Sequence, residues 1–107
     1  MESIDNKLDI ANHDNITTLK YLHIPTIYHE NECGVIYEVL SVNFIGHRQP
    51  IVTVKNNKKQ AVTYRLPTDL RDWVGINLSN ALAGRNPFPS QVEFFQFGNE
   101  AWVRLLR

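Results

Sequence analysis

The sequence predicts a small α+β domain, mainly β with one helix, on three observations. Apolar and polar residues alternate in the later part of residues 34–45 and again over 50–66, which is the period of strands. At Pro67-Thr68 the apolar spacing lengthens from two to about 3.6 residues, the period of a helix. Beyond it, residues 92–97 and 101–106 alternate on either side of Gly98-Asn99, a two-residue hairpin signal. With 107 residues, 43% hydrophobic and 10% aromatic, the chain can bury one core and not two.

Taken in order, residues 1–18 are polar, rich in Asn and Asp, with few and irregularly placed apolar residues. A disordered acidic arm is expected there, leaving residues 19–107 as the single domain. Residues 19–29 read as extended, and Pro25 confines any strand among them to an edge or a bulge. A turn follows at 29–33. Residues 34–45 form the longest strand candidate, apolar on both faces at first and then alternating, with Ile36, Leu40, Val42 and Phe44 directed inward. A strand that changes character midway suits a curved strand joining two sides of a small barrel.

After a turn at 46–50 comes a hairpin whose alternation sends Val52, Val54, Val62, Tyr64 and Leu66 to the core. Thr53, Lys55, Thr63 and Arg65 then face water, and Lys58 and Lys59 sit at the tip. In the helix, Leu70, Trp73, Val74, Asn77, Leu78, Ala81 and Leu82 share one face, Thr68 is the expected N-cap, Asp69 lies in the first turn and Gly84 ends it. Gly75 weakens this helix by roughly 1 kcal/mol relative to alanine, so packing around Trp73 must hold it. Pro87 and Pro89 stiffen the loop that follows.

If Gly98 and Asn99 form the last turn, the register follows by counting. Phe97 faces Glu100, Phe95 faces Trp102, Glu93 faces Arg104, Phe94 faces Val103 and Val92 faces Leu105. Val92, Phe94, Ala101, Val103 and Leu105 are then core. The opposite face carries Phe95, Phe97 and Trp102 beside a Glu93–Arg104 ion pair. Those aromatics need a partner: the arm between Tyr21 and Tyr28, a second subunit in a homodimer, or unstacked bases.

Charge is neutral overall and uneven along the chain. Residues 1–38 hold seven acids against Lys7 and Lys20, and residues 39–107 hold four acids against nine bases, a split of about −5 and +5 by counting. Residues 39–68 carry Arg48, Lys55, Lys58, Lys59 and Arg65 and no acid at all. A β-ribbon with small polar and basic residues on its outer face is one way to hold a phosphate backbone, although a hairpin kept soluble by lysines has the same composition. The acidic arm could compete with a polyanion for such a site.

The order long strand, hairpin, helix, hairpin, together with VIYEVLSVNF, the RLP that leads into the helix and FPSQVEF before the last hairpin, resembles the small OB-fold single-stranded DNA-binding proteins of phages and mobile elements. The resemblance covers residues 34–106. It implies a five-stranded OB-like barrel with the helix between its third and fourth strands, and a strand-binding face on the second and third strands at Thr53, Lys55, Thr63 and Arg65, with the loop at Asn56 to Lys59 as the rim. One departure is that this face lacks a stacking aromatic, because Tyr64 alternates inward. Phe95 and Trp102 would have to serve.

Other chemistry is poorly represented. There is no glycine-rich phosphate loop, no paired cysteines and no acidic cluster suited to Mg²⁺, so no cofactor and no metal are expected. His23, His29 and Cys33 lie close in sequence but want a fourth zinc ligand, for which Glu30, Glu32 or His13 are the nearest donors, and Cys33 with His29 has no spacing that argues mutual geometry. A lone cysteine, no leading signal-like segment and no long apolar run suggest a cytoplasmic protein off the membrane. The expected function is non-catalytic binding of single-stranded nucleic acid, DNA ahead of RNA. The alternative is an accessory or inhibitor module that docks on a host or replication protein through Phe95, Phe97 and Trp102.

Overall fold

The computed structural model describes residues 19–106, so the predicted arm at 1–18 lies outside the described residues. Strands β1 (Thr26–Ile27), β2 (Val35–Ile45), β3 (Gln49–Lys55) and β4 (Ala61–Arg65) are followed by a 3-10 turn (Thr68–Leu70), helix α1 (Arg71–Leu82), and strands β5 (Ser90–Phe97) and β6 (Glu100–Leu105). The protein is mainly β with one helix. All six strands join one open sheet in which β6, β5, β2, β3 and β4 pair successively and antiparallel, while β1 runs parallel to the end of β5.

A closed five-stranded barrel was expected, and the pairing differs from it for a reason visible at both edges. The outer edge of β4 is taken by residues 20–22: Tyr21 bridges Arg65 in parallel, the N–H of Arg65 donates to the Lys20 carbonyl at 2.8 Å, and the N–H of Leu22 donates to the Arg65 carbonyl at 2.9 Å. On the far edge, the N–H of Ala101 in β6 donates to the Asp69 carboxylate at 2.9 Å. Residues 19–27 thus form a strap from β4 to β5, where the N–H of Gln96 donates to the Pro25 carbonyl at 2.8 Å. Leu22 is buried in the core and Ile24 packs against it. Capped and strapped backbone groups are not free to pair with each other.

Strand β2 is shared between two ribbons. Val35 to Val39 pair with β5, and Glu38 to Ile45 pair with β3. Leu40 is the extra residue of a bulge, since Val39 opposes Val54 and Ser41 opposes Thr53. The bulge resets the alternation: Val39 is inward before it and Val42 and Phe44 after it. Ile36, expected inward, is consequently 51% exposed. The turn before β3 is shorter than expected, because Gln49 and a buried Pro50 already belong to the strand, opposite Ile45 and Phe44.

The last hairpin has the counted register at every pair. Val92, Phe94 and Ala101 are buried as predicted, but Leu105, the last residue of the edge strand β6, is exposed at the margin of the core. Phe94 is the centre of the core, with Trp73 at 5.8 Å and Tyr37 at 5.8 Å in edge-to-face contact, and Phe88 meets Trp73 at 6.2 Å. Burial raises the Tyr37 phenol above its ordinary value, the neighbouring Tyr64 phenol adds to the shift, and its O–H donates to the His23 carbonyl at 3.0 Å.

The helix is anchored by its first turns. Leu70 and Val74 are buried and Trp73 and Leu78 pack beside them, whereas Leu82, assigned to the same face, is 82% exposed. Thr68 does not cap the helix; it lies in the 3-10 turn, whose N-cap position is Pro67, and no side chain caps either start. Asp69 is drawn instead to the N–H of Ala101, a long-range bond that fixes the helix start to β6. Among the described residues no helix is long and apolar enough to cross a membrane.

Candidate nucleic-acid interface

The outer face of the β2–β3–β4 ribbon gathers most of the predicted residues. Thr53 opposes Thr63, with their hydroxyls 2.8 Å apart, and the same face continues along β3 to Lys55 and along β4 to Arg65. Ser41 and Asn43 of β2 extend it, opposite Thr53 and Ile51. The strip is mostly small and polar and half-exposed, and the bulge at Leu40 sends Val42 and Phe44 to the inner side.

The hairpin tip is held by one side chain. The Asn56 carboxamide oxygen accepts from the N–H groups of Lys58 at 2.8 Å and Gln60 at 2.9 Å, and the N–H of Lys59 donates to the Asn56 carbonyl at 3.0 Å. Lys59 takes a left-handed backbone, φ 66°, within this loop. The two exposed ammonium groups of Lys58 and Lys59 therefore project from an ordered rim.

Two features of the face escape sequence reading. The first is Glu38, whose carboxylate stands 3.7 Å from the Lys55 ammonium. The count over 39–68 found no acid, yet strand pairing brings in this one from a single residue outside the window. Both partners are about a third exposed, so the pair contributes little stability, on the order of 0–1 kcal/mol, while still offsetting the Lys55 charge. The second is Tyr21. Its ring lies 4.4 Å from the Arg65 guanidinium and is 54% exposed, which places an aromatic on a face that the hairpin sequence leaves without one. Arg65 is oriented from behind, since its Nε donates to the Leu19 carbonyl at 3.0 Å. The signal in the sequence was weak: only the β-compatible run LKYLHI, with no indication of which edge it joins.

Arg48 is not part of this face. It sits with φ 60° in the turn before β3, at the opposite end of the ribbon from the lysine tip, its guanidinium 5.9 Å from the Phe44 ring and its carbonyl accepting from Arg71 Nε at 3.2 Å.

Phe95, Phe97 and Trp102 share the outer face of the other hairpin, as the register required. The stretch between Tyr21 and Tyr28 does contribute to that side, though through Ile27 and not through the tyrosines: Ile27 is buried where β1 pairs with Phe97, while Tyr28 is exposed. Phe95 is half-buried beneath the Arg104 guanidinium at 5.3 Å, and Phe97 and Trp102 stay about half exposed, Trp102 at 47%. The predicted ion pair is present, Arg104 to Glu93 at 3.1 Å, and the buried Glu93 carboxylate also accepts from the N–H of Gly34 at 2.6 Å. This carboxylate is spent on structure.

Among the described residues, no three His, Cys, Asp or Glu side chains stand close enough together to hold a metal ion. Cys33 is an exposed free thiol, and His13 lies outside the described residues. Glu32 caps the turn before it: its carboxylate accepts from the N–H groups of Tyr28 and His29, and the Tyr28 bond, ahead of the His29 interactions, holds it below the usual carboxylate range. Compared with protein-family models, with curated proteins and with solved structures, the chain matches none.

Proposed function

We propose that this protein binds single-stranded nucleic acid, DNA ahead of RNA, without catalysis, along the outer face of β2, β3 and β4. The observation that carries the reading is the exposed Tyr21 ring beside Arg65 on a strip of threonines and lysines. A base can stack on the tyrosine, the Arg65 guanidinium and the Lys55, Lys58 and Lys59 ammonium groups can meet phosphates, and the threonine hydroxyls are small enough to let the backbone approach. On this reading the curved sheet is an OB-like barrel whose seam is closed by the strap at 19–27; the resemblance to phage and mobile-element proteins favours DNA, and the lone cysteine favours a cytoplasmic setting.

A second reading, docking on a host or replication protein, is favoured by the neighbouring exposure of Phe97 and Trp102. One experiment separates the two. A fluorescent oligonucleotide of about 20 nucleotides should bind in the micromolar range at low salt. Neutralising about four phosphates gives a slope of log K against log salt near −3. Tyr21→Ala should then cost about 1–3 kcal/mol of binding free energy, and Trp102→Ala should leave binding unchanged. No anisotropy change at about 50 micromolar protein would sink the nucleic-acid reading, and loss of binding on Trp102→Ala alone would move the stacking site to the other hairpin.

A further inference from the structure

Strand β2 begins before it meets β3. Its pairing with β3 starts at Glu38 opposite Lys55, whereas Val35 to Tyr37 pair only with β5 among the described strands. The loop after Lys55 turns away towards β4, and a groove of about 550 Å³ opens in the fork. That volume falls within the roughly 300–1,000 Å³ typical of small-molecule sites. Its walls differ in kind. Ile36 offers a half-exposed apolar surface and Tyr37 closes the inner side, while Asn57, Lys55 and Lys59 come from the hairpin. The Asn56 amide is consumed within the loop, but the Asn57 amide makes no hydrogen bond among the described residues.

We propose that this groove holds one nucleobase of the bound strand and sets the base preference, with Ile36 against the ring, the Asn57 amide on its hydrogen-bonding edge, and Lys55 and Lys59 on the flanking phosphates. The proposal rests on the nucleic-acid reading, and Lys55 is the residue common to both sites. A carboxamide supplies a donor and an acceptor side by side, which is the pattern a base edge presents. An apolar surface accepts the base plane, and the two cations provide the charge that a nucleotide needs and an apolar ligand does not. Glu38, paired with Lys55, sits on the same wall and can accept from an exocyclic amine.

The test is anisotropy with dA, dC and dT homopolymers of about 20 nucleotides at one salt concentration. Wild type should spread its affinities by about ten-fold, within what one good base contact supplies. Asn57→Ala and Ile36→Ser, both at exposed positions, should compress that spread to about two-fold with the salt slope unchanged. Lys58→Gln, outside the groove, should weaken all three equally and lower the slope by about 0.7. Equal wild-type affinities, or a spread untouched by both groove variants, would overturn the groove proposal and leave the interface standing. Failure of wild type to bind any homopolymer would overturn the interface and the groove together.

Discussion

The hairpins β3–β4 and β5–β6 both pair onto β2 and both bury their inner faces in one core, yet their outer faces are used differently. On β5–β6 the outer face is partly closed: Glu93 is buried, held by Arg104 and by the N–H of Gly34, and Ile27 and Arg104 lie against the phenylalanines. On β3–β4 the lysine tip is exposed, Thr53 and Thr63 are half-buried against each other, and both partners of the one ion pair there keep about a third of their surface in water. A charged residue that is buried and multiply bonded is committed to the fold. One that is exposed and weakly paired remains available to a ligand. The two hairpins teach that charge alone does not mark a site; the cover above it decides.

That contrast breaks most sharply at Gly34. A Cβ there would sit 2.1 Å from the Phe94 carbonyl oxygen and 2.8 Å from Phe95 Cβ, so strands β2 and β5 would have to part. Gly34→Ala should therefore destabilise by about 3 kcal/mol, lowering the melting temperature by at least roughly 10 °C. A melting curve like that of wild type would mean the β2–β5 junction is loose, and the argument that its outer face is structural would fail.

The next test sets the two carboxylates against each other. Glu93→Gln removes a buried charged acceptor and should cost about 1.5–3 kcal/mol in stability, with no effect on oligonucleotide affinity. Glu38→Gln should cost under about 1 kcal/mol and tighten binding by releasing Lys55. Denaturant midpoints and anisotropy on both variants read this directly. Equal destabilisation would erase the distinction drawn between the hairpins.

How far the sequence alone reaches also differs between the hairpins. The β5–β6 register was countable because Gly98-Asn99 fixes a two-residue loop, and every side chain then follows by parity. The faces of Thr53, Lys55, Thr63 and Arg65 followed from the same alternation. Ile36 did not, because one bulged residue at Leu40 inverts the phase of the strand before it, and nothing local announces a bulge. Tyr21 and Glu38 were missed at the interface because both arrive by long-range pairing, from 44 positions before Arg65 and 17 before Lys55 in the numbering. Windows of local composition cannot see across a sheet. Thr68 illustrates the reverse error: its local capping propensity goes unused because a 3-10 turn over Thr68–Leu70 precedes the α-helix, whose N-cap position is Leu70.

The smallest effect expected concerns the leading segment. Residues 1–14 hold Glu2, Asp5, Asp9 and Asp14 against Lys7, and the described chain begins at Leu19, whose carbonyl accepts from Arg65 on the proposed face. The acidic residues end five positions before Leu19 in the sequence, and a tether that short would raise their effective concentration at the cations they are proposed to compete for. Deleting residues 1–14 should tighten oligonucleotide binding a few-fold at low salt, and the gain should fade as salt approaches 0.5 M, where the screening length drops to about 4 Å. Because the strap from Leu19 onward is retained, the melting temperature should not change. Unchanged affinity at low salt would show that the segment does not reach the β3–β4 face, and a fall in melting temperature would show that it belongs to the fold, placing it with the β5–β6 side of the comparison.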